Sequence, residues 1–263
     1  MTTLTPTLAP LPTSDAPCSA ARTTVDALRL TQCTYYRGRV ALAAILKSLG
    51  VGRGDEVVIQ AFTCVAVPEG VMASGARPVY ADIEPGGCNV DPASLEERIT
   101  SRTRAIVLQH TFGIPAQMDR VMLIAERAGI PVIEDCCHAL ASQFDGRLLG
   151  SIGVASFYSF EWGKPLVAGL GGAAVANEPE LAERLATEWQ NYPTPPMGKK
   201  LQLELQFRAF KVLYHPRWYW YVRAAFHGLA ATGAVAGNFA MPAASVGPSP
   251  EYGWRMSPGL LRR

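Results

Sequence analysis

Short apolar runs of strand length alternate with amphipathic stretches of helical length, and this alternation limits the possible folds more than any other feature. The patterns predict helices at 39–49, 65–74 and 118–128, and strands at 56–60, 78–82, 105–109, 132–134 and 155–160. Strands separated by helices of this length favour a parallel sheet that is covered on both faces. The predicted fold class is therefore α/β, with three layers and a mostly parallel sheet between helices.

Composition permits one sizeable core and excludes several classes of protein. The chain has 263 residues, of which 49% are hydrophobic and 17% charged. A net charge of +2 argues against a dedicated nucleic-acid binder. The six cysteines show neither paired CxxC spacing nor the framework of a small secreted protein, so no metal site or disulfide set is implied.

The first residues of the chain are rich in threonine, proline and alanine. They contain neither the basic start nor the apolar stretch of a secretory signal peptide. We therefore expect residues 1–22 to be a disordered tail and the protein to be cytoplasmic.

Two segments place chemistry at strand ends: PVIEDCCHAL (131–140) and ASFYSFEWGKPLVAGLGGAAV (155–175). The apolar run of the first segment ends in acid at Glu134 and Asp135, and the run of the second is followed by Lys164. Ligands of parallel sheets bind beyond the carboxyl ends of the strands. A lysine that forms a Schiff base and an aspartate that keeps a pyridine nitrogen protonated are what a pyridoxal-phosphate enzyme needs.

Each of these residues also has an ordinary structural interpretation. A lone lysine is usually a solvated surface charge, and Asp135 could cap a helix. The glycines at 169, 171 and 172 could mark a tight turn and nothing more. The remaining candidates could be core or backbone-bonded side chains: His138, Ser159, Cys64 and Cys137.

Several motifs in one order resemble a known family. They are GVGRGDEVVIQAFTCVAVPEGVMASGARPVYADIEP (50–85), HTFGIPAQMD (110–119), VIEDCCHALAS (132–142) and SFYSFEWGKPLVAGLGGAAVAN (156–177). These segments resemble the DegT/DnrJ-type nucleotide-sugar aminotransferases, which are fold-type I pyridoxal-phosphate enzymes. The resemblance covers roughly residues 35–190 and returns briefly at YGWRMS (252–257).

The resemblance implies roles for four residues. Lys164 matches the lysine that holds the cofactor covalently and later moves the proton. Asp135 matches the partner of the pyridine nitrogen. His138 matches a position that contacts the ring hydroxyl, where relatives also have glutamine. Ser159 matches a hydroxyl that binds the cofactor phosphate.

Some positions depart from the family pattern. The small-residue phosphate loop reads Arg37-Gly38-Arg39-Val40 here, and we expect Gly38 and Arg39 to bind phosphate through a helix N-terminus and added charge. Cys64 occupies the position of an aromatic ring that stacks on the cofactor, and Cys137 would line the opposite face. Gly253 and Leu170 replace an asparagine and an acidic residue.

The activity that this resemblance implies is transfer of an amino group from an amino acid, expected to be L-glutamate, to a nucleotide-linked keto-sugar. Such reactions supply cell-surface polysaccharides or secondary metabolites. Relatives that dehydrate sugars have histidine in place of the lysine, so Lys164 favours transamination. The resemblance also implies a homodimer with shared sites.

The stretch from 191 to 250 has a different character. It carries six Lys or Arg residues against one acid, Glu204, together with a run of aromatic residues from Trp218 to Tyr221. Three interpretations remain open: a helical pair packed on the protein or its dimer partner, a peripheral membrane contact through 199–227, or a basic wall for a diphosphate-linked substrate.

The sequence therefore predicts four regions: a tail (1–22), a pyridoxal-phosphate-binding large domain (23–190), a basic aromatic-rich insertion (191–250) and the start of a truncated C-terminal region (251–263). The family's small C-terminal domain is not present in these 263 residues. An alternative to an active enzyme is a catalytically silent relative with a regulatory or scaffold role, in contact with a membrane.

Overall fold

The computed structural model describes residues 33–231, 235 and 250–256. The predicted tail, residues 257–263 of the predicted C-terminal region, and most of 232–249 lie outside the described residues.

One large sheet organises the described part of the chain. Its strands are β1 (Thr34–Tyr35), β2 (Glu56–Gln60), β3 (Arg77–Ala81), β4 (Thr103–Gln109), β5 (Val132–Asp135), β8 (Ala155–Ser159) and β9 (Gly172–Ala176), while β6 (Gln143–Phe144) and β7 (Arg147–Leu148) form a separate hairpin. The seven strands run in the order β3-β2-β4-β5-β8-β9-β1. The first five strands in this order are mutually parallel, whereas β9 pairs antiparallel with both of its neighbours, β8 and β1.

Helices follow most strands along the chain. They are α1 (Gly38–Ser48), α2 (Ala66–Ser74), α3 (Pro92–Glu97), α4 (Met118–Ala128), α5 (Pro179–Gln190), α6 (Met197–Leu213) and α7 (Tyr219–Ala231). Two short 3-10 turns cover Thr111–Gly113 and Pro250–Gly253.

Alternate strand residues enter two different hydrophobic cores. On β2, Val57 and Ile59 pack in one cluster with α1 and α5, while Val58 packs in the other with α4. On β8, Phe157 and Tyr158 divide between the clusters in the same way. Because successive strand side chains point to opposite faces, the sheet has helices on both sides. This arrangement confirms the predicted three-layer α/β fold.

The predicted helices and strands match the observed ones within about two residues at each end. Helix α4 shows why its end was predictable: Gly129 adopts a left-handed conformation (φ 66°) that closes the helix. Strand β9 was not predicted, because GAAVA lacks the alternating pattern of a half-buried strand. The predicted insertion (191–250) contains two helices, α6 and α7. A helical pair was one of the three interpretations that the sequence left open.

The carboxyl ends of four parallel strands meet at one edge of the sheet. Strand β2 ends at Gln60, β4 at Gln109, β5 at Asp135 and β8 at Ser159. A ligand site is expected beyond this edge in an open parallel sheet. The candidate residues Asp135 and Ser159 therefore lie where the fold favours binding.

Candidate active site

Lys164 and His138 form the centre of the candidate site. Lys164 lies in the turn after β8, where its backbone N–H donates to Glu161 O at 3.1 Å. Its Nζ lies 3.0 Å from Nε2 of His138, which follows β5. The fold therefore brings together two residues that are 26 positions apart in sequence.

Asp135 lies on the same side of the sheet as this pair. It is the last residue of β5 and is 4% exposed. Its Oδ1 accepts a hydrogen bond from the backbone N–H of Cys137 at 3.0 Å. The charges of Asp135 and Lys164 both act on His138 and on Cys137, so all four residues share one electrostatic environment.

The imidazole of His138 is held neutral. Burial lowers its pKa below the ordinary value of 6.5, the positive charge of Lys164 lowers it further, and Asp135 opposes them. The backbone N of Phe112 lies 3.4 Å from Nδ1. Because the ammonium of Lys164 can only donate, Nε2 of the neutral imidazole is the acceptor in their 3.0 Å contact.

The two cysteines differ in their surroundings. Burial and the charge of Asp135 raise the pKa of Cys137 well above 9, so its thiol stays protonated beside the site. Cys64 is exposed in the segment before α2. Among the described contacts, none joins Cys64 to Lys164 or Asp135, and its predicted stacking role stays a prediction.

The N-terminus of α1 lies directly against the end of β8. A Cβ built on Gly38 would come within 3.0 Å of Ser159 Cβ and 3.2 Å of Tyr158 O. The free amides that begin a helix and the Ser159 hydroxyl therefore lie close together. This juxtaposition fits an anion such as a cofactor phosphate.

Gly172 on β9 allows the backbone of β9 to come close to the start of α1. A Cβ at this position would lie 2.5 Å from Gly38 N and 2.6 Å from Arg37 C. Any side chain there would push the start of α1 away from β9. Gly172 therefore allows the close packing of β9 on the start of α1, while Gly169 (φ 92°) and Gly171 (φ 140°) adopt the positive φ angles that favour glycine.

The two arginines of this loop are engaged by carboxylates. Arg37 is buried and its guanidinium forms an ion pair with buried Glu161 at 3.2 Å. Arg39 forms an ion pair with Glu69 on α2. The Arg37–Glu161 pair connects the start of α1 to the turn that carries Lys164.

Phe112 is a residue that sequence reasoning missed. Its ring stacks parallel to the His138 imidazole, with centroids 5.8 Å apart and an interplanar angle of 6°. It adopts a left-handed conformation (φ 55°, ψ 22°), which is unusual for a bulky side chain. Strained residues concentrate at functional sites, although no pattern in HTFG signals this strain.

Glu134 is a second residue that the sequence analysis did not identify. It lies in β5, next to Asp135. Its fully buried carboxylate accepts hydrogen bonds from the amides of Gly150, Ile152 and Gly153 at 2.7, 2.7 and 2.8 Å, and from His110 Nε2 at 3.2 Å. Burial alone would raise its pKa, but these hydrogen bonds prevail and lower it below 4.5.

The ligand atoms of His110, Glu134 and Cys136 lie within 4.8 Å of one another, which is close enough for a shared metal ion. However, the Glu134 oxygens already accept four hydrogen bonds, and His110 Nδ1 accepts from Ala116 N at 3.3 Å. This cluster is therefore a satisfied hydrogen-bond hub.

The DegT/DnrJ/EryC1/StrS aminotransferase family model matches residues 31–193 of this chain. That segment contains every candidate residue described above. Aminotransferases of this kind are fold-type I enzymes that use pyridoxal phosphate.

Two curated relatives are each 41% identical to this chain. One is named a pleiotropic regulatory protein of Geobacillus stearothermophilus, aligned over 56% of this chain and 40% of the relative. The other is the L-glutamine:scyllo-inosose aminotransferase of Streptomyces griseus, aligned over 56% of this chain and 35% of the relative.

A solved structure of DesI, obtained in the presence of its TDP-sugar product, has a TM-score of 0.57 and 29% identity. The match covers 66% of this chain and 44% of that one. The chain thus spans less than half of the length of these relatives. It belongs to the DegT/DnrJ/EryC1/StrS aminotransferase family.

Proposed function

We propose that this chain carries the pyridoxal-phosphate-binding domain, residues 23–190, of an aminotransferase that acts on a keto-sugar. The observation that carries this proposal is the meeting of Lys164 Nζ, neutral His138 and buried Asp135 at the carboxyl edge of the sheet. The cofactor requires two groups from the protein: an amine that can act as a nucleophile, and a carboxylate that is shielded from water.

The described residues fit pyridoxal phosphate at both of its ends. Asp135 would accept from the pyridine nitrogen, and this charge-assisted hydrogen bond is strong because the carboxylate is buried. Ser159 and the α1 amides at Gly38 and Arg39 would bind the phosphate, in a cradle that a Cβ on Gly38 would fill. Cys137 and Cys64 are proposed to line the two ring faces. The bound cofactor would supply an electron sink for the bond-breaking step.

The protein's own groups would handle protons and position. Lys164 would hold the cofactor through Nζ, and the same Nζ would take up and carry the proton that leaves the α-carbon of the amino donor. His138 would orient Nζ through Nε2 and contact the ring hydroxyl.

For substrates, we propose an α-amino acid donor and a keto-sugar acceptor linked to a nucleotide. The names of two relatives support both substrates, since one is an L-glutamine:scyllo-inosose aminotransferase and the other was solved with its TDP-sugar product. L-glutamine is therefore a second candidate amino donor, beside the L-glutamate that the sequence analysis expects. The reaction would take place in the cytoplasm, in a homodimer.

A regulatory role is the second candidate function. It is favoured by the 41% identity to a protein named a pleiotropic regulatory protein. The pairing of Arg39 with Glu69, where the family has a hydroxyl, is also consistent with altered phosphate binding. In this case the chain would act without transamination.

A half-reaction separates the two candidates. The purified protein is loaded with pyridoxal phosphate and treated with L-glutamate or L-glutamine, and the visible absorption band and the keto-acid product are measured. An aminotransferase loses the band and forms one equivalent of keto acid per site, whereas Lys164→Ala does neither. A band that neither donor changes would favour the regulatory role.

A further inference from the structure

Helix α6 has apolar residues on two opposite faces. Leu203 and Phe207 are buried on one face, where Leu203 packs in a cluster with Leu170 and Met256. On the other face, Met197, Leu201, Leu205 and Val212 are 75%, 57%, 57% and 80% exposed. A helix that is apolar on a second face normally has that face covered.

Helix α7 continues this exposed surface. Arg223 is its single Lys, Arg, Asp or Glu residue. An outward arc of the helix consists of uncharged residues, all exposed: Trp220, Tyr221, Ala224, Ala225, Gly228 and Leu229. A helix at a water-facing surface ordinarily carries charge on that arc. We name the exposed side chains between Met197 and Leu229 the α6–α7 surface.

The aromatic residues of this surface have polar tips and are widely exposed: Tyr214, Trp218, Trp220 and Tyr221. Tyrosine and tryptophan accumulate at the boundary between lipid and water. None of the described helices has the length and apolar character needed to cross a bilayer. Helix α7, with 13 residues, is about 20 Å long, against about 30 Å of hydrocarbon.

The charge of the surface selects its partner. Six basic residues, at 199, 200, 208, 211, 217 and 223, stand against Glu204, which bonds Arg208 at 2.9 Å. A symmetric dimer formed through this surface would place like charges opposite each other. Anionic lipid headgroups would complement them, and Arg223 already stacks over the Trp220 ring at 5.6 Å.

We propose that the α6–α7 surface docks in the headgroup layer of membranes that contain anionic lipids. The exposed apolar and aromatic side chains enter the interface, and the basic residues contact the headgroups. The inner face of α6 stays attached to the protein, since Phe210 packs on Trp162 with ring centroids 4.7 Å apart. Trp162 precedes Lys164 by two residues, so α6 packs on the turn that carries Lys164. This docking goes beyond the proposed transamination and does not depend on it.

Vesicle flotation tests the proposal with the whole chain. Vesicles of phosphatidylcholine alone are compared with vesicles that contain 30 mol% phosphatidylglycerol, at low salt and at 0.5 M NaCl. The protein is expected to float with the anionic vesicles at low salt, weakly at high salt, and not with neutral vesicles.

Paired variants locate the contact. The double variant Arg217→Glu and Arg223→Glu is expected to bind at least about 25-fold more weakly, from about fivefold for each basic residue. Arg53→Glu with Arg120→Glu makes the same change of net charge on exposed residues elsewhere and should bind like wild type. Circular dichroism confirms that each variant is folded.

Tryptophan quenching by brominated lipid reports insertion. Wild-type protein should be quenched on anionic vesicles, and Trp218→Phe with Trp220→Phe should float but lose most of the quenching. Absence of flotation, or equal weakening in the Arg53 and Arg120 variant, would overturn the proposal. A third result would also overturn it: the protein binds no vesicles but forms a dimer, and the double variant Trp220→Ser with Tyr221→Ser is monomeric. The α6–α7 surface would then be the contact with a second copy of the chain.

Discussion

His138 Nε2 lies 3.0 Å from Lys164 Nζ, and the ring of Phe112 stacks parallel to the imidazole. The stacking holds the orientation of the imidazole. The unprotonated Nε2 then accepts a hydrogen bond from the Lys164 ammonium and positions it. His138 is therefore a positioning residue in the proposed reaction.

Replacing His138 tests this positioning. His138→Gln keeps a side-chain hydrogen-bond acceptor and should retain most of the half-reaction with the amino donor, whereas His138→Ala should slow it by roughly 10- to 100-fold. Because the pKa of His138 is lowered, the imidazole becomes charged only at a pH below 6.5. The wild-type rate should therefore fall as the pH drops below that value, and the glutamine variant should lack this fall. Equal rates for the alanine and wild-type proteins would contradict the assignment.

Asp135→Asn tests the buried carboxylate. Asparagine can still accept from Cys137 N, so the local backbone should be preserved. It cannot stabilise a protonated pyridine nitrogen, and the half-reaction should slow by about 100-fold or more. Asp145→Asn, in the exposed hairpin turn, is the matched control and should leave the rate unchanged. Stopped-flow absorbance after addition of donor measures both.

Gly172→Ala tests the close packing of β9 on the start of α1, where we propose that the phosphate binds. Its Cβ would lie 2.5 Å from Gly38 N, and the displacement of α1 should cost about 1–3 kcal/mol of unfolding free energy. Gly228→Ala places a methyl group in open space on α7 and should stabilise the protein by up to about 1 kcal/mol. Urea unfolding compares the two, and a neutral Gly172→Ala would show that the approach is not required.

Glu134→Gln tests the hydrogen-bond hub. The variant replaces a buried carboxylate with an amide, whose NH2 group would face backbone N–H groups that also need an acceptor. We expect it to lose about 3 kcal/mol of unfolding free energy at neutral pH. In the wild type the lowered pKa of Glu134 contributes stability that is fully present above 4.5 and is lost as the pH falls through the folded-state pKa. Unfolding free energies between pH 3 and 7 should decline with falling pH more steeply for wild type than for the variant. Glu126→Gln, on the exposed side of α4, should retain the wild-type slope.

The sequence was sufficient to predict the three-layer fold, because periodicity and helix-ending glycines such as Gly129 are local signals. It also pointed to Asp135 and Lys164, since the ends of parallel strands meet at one edge whatever the details of packing. Both predictions depend on features that neighbouring residues encode.

Other features depend on contacts between distant segments and could not be predicted. The pairing of Arg39 with Glu69 joins α1 to α2, and the stacking of Phe112 on His138 joins the segments that follow β4 and β5. The glycines near 171 indicated a turn, but the role of Gly172 becomes visible only when Arg37 and Gly38 are placed beside it. The roles proposed for Gly38, Arg39, Ser159, Cys64 and Cys137 remain predictions.

The most direct measurement is to reduce the pyridoxal-phosphate-loaded protein with borohydride and to map the labelled peptide. The chain has four other lysines, at 47, 199, 200 and 211, and none of them lies in the candidate site. The label is predicted on Lys164 alone, and Lys164→Ala should take up none while Lys47→Ala is labelled normally. A label spread over the other lysines, or one retained in Lys164→Ala, would contradict the central assignment.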